Sequence, residues 1–335
     1  MMIRIITIVL IFTLTGPAQA MRFKIATLSP EGSVWMQKMR EGAEELTRKT
    51  DNRVTIKYYP GGVMGDDQAV LRKIRIGQLH GGAVVGGSLS RFYPDNQIYS
   101  LPLKFRSFDE VDYVRKHLDP LIAQGLEKGG FVTFGIAEGG FAYVMSKVPI
   151  RTVEEMRRQK VWIPDNDPMI LESVKAFGII PFPLSIADVR AGLQTGLINT
   201  VTTPPIGAVA LQWHTQINYL MYEPFMYIYG VLALDRKAFA KISPDDQRIF
   251  REIMGRKFRE LDRLNREDNV NALNALRKQG IKFINPLAEA LNIWHHKAEA
   301  VPKRLVNAGK LSQEMVNTLE TLLKDYRSKQ LRAEK

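Results

Sequence analysis

The chain of 335 residues contains no cysteine. That absence excludes disulfides, thiolate catalysis and cysteine-bound zinc together. It also excludes the lipidated cysteine that tethers many exported bacterial proteins. No internal stretch reads as a membrane span. The most apolar one, Ile217–Leu234, is broken by Glu223, Pro224 and Gly230, and its β-branched and aromatic residues suit buried strands. Catalytic fingerprints are missing too. There is no H-E-x-x-H, Gly86-Gly87-Ser88-Leu89-Ser90 lacks the spacing of a nucleophile elbow, and Gly81-Gly82 with Gly86-Gly87 matches neither a dinucleotide nor a phosphate loop. The five histidines are scattered, and the rings of the adjacent His295 and His296 diverge on a helix. The expectation is a protein that is no enzyme, with no cofactor and no metal site. Asp66-Asp67 and Asp165 with Asp167 are the acidic pairs that a cation would choose, although loop carboxylates more often cap helices.

What is present begins with an address. Arg4, the apolar run Ile5–Leu14 and Ala18-Gln19-Ala20 form the pattern of a cleaved signal peptide over residues 1–20, the alternative being an uncut anchor. The run is shorter than the roughly 20 residues a spanning helix needs. Export to the periplasm without a lipid anchor is expected, leaving about 315 residues, enough for two domains. A hydrophobic content of 45% suits a globular protein. The net charge of +12 comes from scattered Lys and Arg, much of the excess in Arg251–Arg266 and Lys324–Lys335. It reads as solvated surface, with no nucleic-acid partner and with attraction to anionic membranes or ligands as the lesser reading.

Periodicity then orders the chain. Phe23–Thr27 and Val54–Tyr59 read as strands, Val34–Thr50 and Asp66–Gly77 as helices, and Gln78–Val85 as extended chain. A second block repeats the rhythm, with strands at Thr133–Ile136, Tyr143–Ser146, Val161–Ile163 and Ile198–Thr202. Its helices are Thr152–Arg158, opened by a Thr152/Glu155 capping box, Pro168–Phe177 and Ile186–Gln194. Periodic apolar residues from Ile249 to Leu276, after Ser243-Pro244, mark a helix long enough to bridge two domains. Two βα blocks without a disordered linker imply an α/β protein of two lobes joined by crossing strands, with a ligand cleft between them.

Several segments carry a resemblance. Thr27-Leu28-Ser29-Pro30 follows the first strand, and Tyr59-Pro60-Gly61-Gly62-Val63-Met64-Gly65 resembles a "PNGQLG" turn. Ile76-Gly77-Gln78-Leu79 and Leu101-Pro102-Leu103-Lys104-Phe105-Arg106-Ser107 follow in order. Lys160–Pro164 resembles "KIRVP", and Leu193-Gln194-Thr195-Gly196 with Pro204 resembles "ALQTGxVDGQENP". In this order they resemble the DctP-like solute receptors of TRAP (tripartite ATP-independent periplasmic) transporters.

The resemblance implies a two-lobe periplasmic binding protein fold with crossover strands and a long C-terminal helix bridging the lobes. Residues 21–143 with about 231–270 would form lobe I, and 144–230 with about 271–335 lobe II. It also implies a small-molecule ligand, small and large membrane subunits as partners, and a monomer or weak homodimer. A sensor or scaffold that reports its ligand to another protein is the competing reading.

Three departures fall where that family grips organic acids. Trp162 stands in the place of the carboxylate-binding arginine, Ala142 in that of a second basic residue, and Val201 and Thr203 in place of Gln and Asn. Tryptophan has no bidentate fork. The expected ligand is therefore neutral, apolar or cationic. Candidate residues are Trp162, Phe141, Tyr143, Trp35, Phe182, Thr203 and Trp213, with Glu31 or Glu138 as counter-charge for a caged cation. Tyr222 and Glu223 complete that list, while Trp35 and Tyr143 equally suit an ordinary core and Trp213 suits a core or an interface better than a ligand wall. A relocated Arg91 or Arg106 would restore an acid ligand.

Overall fold

Strand β1 (Met21–Thr27) leads to helix α1 (Val34–Lys49), β2 (Val54–Tyr59), α2 (Asp67–Arg75) and β3 (Gly81–Val85) in a computed structural model that describes residues 20–165 and 167–333. The signal-peptide reading falls on residues 1–20, of which 1–19 lie outside the described residues. Each helix starts where a side chain can take the free N–H groups of its first turn. Ser33 Oγ accepts from Met36 N, and Asp66 Oδ1 from Ala69 N at 2.7 Å. Strands β1, β2 and β3 are parallel, as the βαβ rhythm requires.

Helix α3 (Phe108–Lys128) precedes β4 (Phe131–Val132) and the long strand β5 (Ile136–Ser146). Then come α4 (Val153–Arg157), β6 (Val161–Pro164), α5 (Pro168–Ala176), β7 (Pro181–Leu184), α6 (Val189–Thr195), β8 (Thr200–Thr203), α7 (Pro205–Ala210) and β9 (Tyr219–Met221). Strand β10 (Met226–Asp235) is followed by α8 (Arg236–Phe239), α9 (Pro244–Lys278), β11 (Lys282–Ile284), α10 (Ala288–Glu299), α11 (Val301–Asn307) and α12 (Gln313–Ala333).

The sheet order β2-β1-β3-β10-β5-β8-β6-β7 holds two parallel groups, β2-β1-β3 and β6-β7, joined through β10 and β5. Strand β5 pairs with β10 through Met226↔Ala142, then with β8 from Tyr143↔Thr203 onward. It thus runs from one lobe into the other. The sequence reading put strands at Thr133–Ile136 and Tyr143–Ser146; residues 133–135 are loop, and β5 runs from Ile136 through Gly139-Gly140 into the second of them. The structure absorbs those glycines in the pairing, at a bulge between Ile228 and Tyr229. Gly140 takes φ +99°, and a Cβ there would lie 2.7 Å from Asn269 Nδ2. Ile186–Gln194, expected as one helix, is a 3₁₀ turn at Ile186–Asp188 followed by α6.

Helix α9, 35 residues long, starts at the cap Ser243 with Pro244 in its first turn. It packs on α1, β5 and α7 and so touches both lobes. Its N-terminal half adds Phe250, Met254 and Phe258 to a core with Phe23, Met39 and Leu234. Further along, Leu276 joins Trp162, Trp213, Leu193 and Leu220 in a second core. A third core on the other face of the sheet runs without a break from Val70 and Ile98 to Phe177 and Trp294. Two lobes therefore share crossing strands and a continuous apolar back.

Candidate functional site

The carboxyl ends of the parallel strands carry the loops at which the two lobes meet, where ligands of open α/β sheets gather. From lobe I come Thr27–Ser29 after β1, Asp66-Asp67 at the start of α2, and Gly86–Ser88 after β3. From lobe II come Asp165 and Asp167 after β6. Asp167 Oδ1 accepts from Gln97 Nε2 at 2.9 Å, across the join. A Cβ on Gly87 would lie 2.1 Å from Asp167 Oδ2, so the backbone of one lobe lies directly against a side chain of the other. Asp67 Oδ2 accepts from Val85 N at 2.9 Å and Ser88 Oγ at 2.8 Å. Burial pushes the Asp67 carboxyl up to about 6 despite those donors, with Asp66 and Asp165 adding like-charge repulsion. Asp165 is raised by burial and by Asp66 and Asp188, and Asp167 by burial. The join is thus acid against acid.

Asp66 and Asp167 also prove to be helix caps, as loop carboxylates usually are. Among the described residues no His, Cys, Asp and Glu are grouped closely enough to hold a metal ion.

Beside this join a hollow of about 200 Å³ opens over Thr27, Ser29, Trp35, Val85 and Phe258. Trp35 lines it and meets Tyr58 edge-on at 6.5 Å. Tyr143, the register partner of Thr203, stacks on Tyr222 at 5.8 Å, and burial raises its hydroxyl to about 12. Phe182 is half-buried and packs against the core that holds Trp162. Thr203 is buried with its hydroxyl beside Gly207.

The remaining residues expected at the site lie elsewhere. Trp162 is 7% exposed, meets Trp213 edge-on at 5.1 Å and donates its Nε1–H to Leu184 O at 3.0 Å. Its ring belongs to a packed core and its one polar group is already engaged. Trp213 is 2% exposed and is core as well. Phe141 packs on Phe108 and Tyr227. Glu138 lends backbone to the hollow, but its carboxylate is buried and bound to Arg266 and the Tyr227 hydroxyl, so it is not the free counter-charge the sequence suggested. Glu31 is exposed and paired with Arg40, which lowers its carboxyl. Arg91 lies over Phe92, in a separate hollow. Asp67, Gln97 and Gly87 were missed as a meeting point, because only the tertiary fold joins positions so far apart in the chain.

The sequence profile of the bacterial extracellular solute-binding proteins, family 7 (DctP), matches residues 25–308. The protein YiiZ of Salmonella typhimurium is 25% identical over 211 residues, 62% of this chain and 64% of its own length. The chain therefore aligns with a little under two thirds of that relative.

Among solved structures, a sugar acid binding protein of Advenella mimigardefordensis in complex with galactonate superposes with a TM-score of 0.84. It is 17% identical and covers 92% of this chain and 99% of its own. A TRAP periplasmic solute binding protein from Sulfitobacter with bound β-D-galacturonate gives 0.81 at 20% identity, covering 91% and 99%. Both share the two-lobe fold. Among the described residues no helix is long and apolar enough to cross a membrane. With its profile matched over most of its length, the chain belongs to the DctP family of bacterial extracellular solute-binding proteins.

Proposed function

We propose that this protein is the periplasmic receptor of a TRAP transporter. It closes two lobes, divided near residue 143 and again near 230 and 270, on a small molecule and hands it to small and large membrane subunits. The ligand is neutral, apolar or cationic rather than a simple carboxylate.

The observation that carries the ligand reading is Trp162. It occupies the place that the family resemblance gives to a carboxylate-gripping arginine, and its indole is spent on Trp213 and Leu184 O. The acid-lined join supports the same reading, since Asp66, Asp67 and Asp165 offer nothing to a second carboxylate. An acid ligand held by a relocated cation is the alternative that the sugar acids bound by the two solved relatives favour. Arg91 and Arg106, the cations named for that role, line none of the hollow at β1 and β3.

Mass spectrometry of solute released by denaturing protein purified without added ligands tests the reading. A neutral or cationic solute is expected, and a stoichiometric sugar acid or dicarboxylate overturns it. Ligand exchange with the membrane subunits in vesicles tests the transport role.

A further inference from the structure

The turn Gly86–Leu89 stands between two buried carboxylates, one from each lobe. On one side Val85 N and Ser88 Oγ donate to Asp67 Oδ2. On the other the Gly87 backbone lies against Asp167, whose Oδ1 accepts from Gln97 Nε2. The charges that bear on this join are acids. Asp66 and Asp165 act on Asp67, and Asp66 and Asp188 act on Asp165. The repulsion therefore crosses from the start of α2 in lobe I to the turns after β6 and β7 in lobe II. Asp95, on the turn that bears Gln97, is taken by Ser312 N and Oγ. Tyr229, behind Gly86, stays neutral, because burial raises its hydroxyl. Arg91 and Lys310 line a hollow with Ser88 and Pro168, but among the described residues neither is ion-paired to Asp66, Asp67, Asp165 or Asp167. Like charges that approach while losing water favour the protonated form of one of them.

We propose that this join is a proton-operated latch: the lobes close on taking up a proton at Asp67 and part when it is lost. The latch rests on the two-lobe closure proposed above and sets its balance. When the lobes part, water reaches the Asp67 and Asp165 carboxylates and screens one from the other. The open form then holds its proton no better than an ordinary carboxylate. In the closed form burial lifts the Asp67 carboxyl to about 6. Closure is therefore favoured below that value and is lost as pH rises through it. With an open-state value near 4, the ratio of closed to open protein falls about tenfold between about pH 5 and pH 7. A solute held by both lobes is gripped more tightly in acid for the same reason.

The absence of cysteine lets a donor and an acceptor dye be placed on the full mature protein through Lys57→Cys on β2 and Arg190→Cys on α6, both exposed positions. Energy transfer in single molecules then reads the separation of the lobes, in protein as purified and in protein stripped of solute by unfolding and refolding. Stripped protein should pass from closed to open between about pH 5 and pH 7, with about a tenfold change in ratio. Asp67→Asn should stay closed across that range. Asp165→Asn, at a half-buried position of the other lobe, should move the transition to lower pH, and it decides the matter if Asp67→Asn does not fold. A wild-type ratio indifferent to pH overturns the latch, as does an unaltered pH dependence in either variant. If the separation differs between purified and stripped protein but not with pH, the latch alone fails. A single separation in every sample removes lobe closure with it.

Discussion

Glu138→Gln separates a structural carboxylate from a ligand-binding one. Glu138 is fully buried, where it accepts from Arg266 Nε at 2.8 Å, Arg266 Nη2 at 2.7 Å and the Tyr227 hydroxyl at 2.9 Å. Arg266 is 28% exposed and also holds Asp112 at 2.6 Å. Arg115 stands 3.8 Å from the same carboxylate and binds Asp262, whose carboxyl burial pushes up to about 6. Removing one partner of a buried pair costs about 3–5 kcal/mol. The partial exposure of Arg266 and its second acid place this case at the lower end, about 3 kcal/mol. For a chain this large that lowers the melting temperature by roughly 5 °C. Urea unfolding followed by circular dichroism measures it, with Asp112→Asn as control. Asp112 is half-exposed, so its loss should cost no more than about 1 kcal/mol. If Glu138→Gln loses no more stability than Asp112→Asn but releases the co-purified solute, the carboxylate belongs to the ligand and the structural account fails.

Asp67→Asn should change the pH dependence of stability. With its carboxyl raised from 3.8 to about 6, the folded protein binds a proton between those values that the unfolded chain lacks. Stability contributed by that proton is present at low pH and falls as pH rises through about 6, so the variant should be the more stable by roughly 1–3 kcal/mol at neutral pH. Parallel wild-type and variant stability curves from pH 4 to 7 would refute this. Gly87→Ala puts a methyl 2.1 Å from Asp167 Oδ2, so the lobes should fail to meet. Small-angle scattering should give a larger radius of gyration and calorimetry about tenfold weaker retention of the recovered solute, whereas wild-type values for both would show that Asp167 simply moves aside. Trp162→Ala should cost about 3–5 kcal/mol in urea unfolding, the range for truncating a buried tryptophan. A loss below about 1 kcal/mol would mean the ring faces solvent in solution.

Local patterns were readable wherever the physics is local. The Thr152/Glu155 capping box, the Ser243-Pro244 start of α9 and the strand Val54–Tyr59 stand where the sequence puts them, because caps and alternation act over a few residues. Strand β5 runs through Gly139 and Gly140, which local pattern reads as an interruption, and only the bulged pairing with β10 shows why this strand tolerates two glycines. The order of motifs was enough to indicate the family and the two lobes. It was not enough to place aromatic side chains. Phe141, Trp162 and Trp213 look alike in sequence whether they line a cleft or fill a core, and all three fill cores. Their orientation depends on Phe108, Tyr227 and Leu184, residues that no local spacing associates with them.

Trp162 is for that reason more than a missing arginine. A buried tryptophan contributes on the order of 5 kcal/mol through its 150–250 Å² of apolar surface. Here that surface is covered by a core that also contains Trp213, Val189, Leu193 and Ile198. A guanidinium in its place would meet the edge of Trp213 and aliphatic neighbours, and burying an unpaired charge there costs several kcal/mol by order of magnitude. An arginine at 162 therefore takes a different Trp213 and a different end to β7, where Leu184 O now accepts the indole N–H. Ala142, the second departure from the basic pattern, is likewise fully buried, at the residue where β5 leaves β10 to pair with β8. Ala142 on β5 and Trp162 on β6 are both committed to the packing of the strands that hold them.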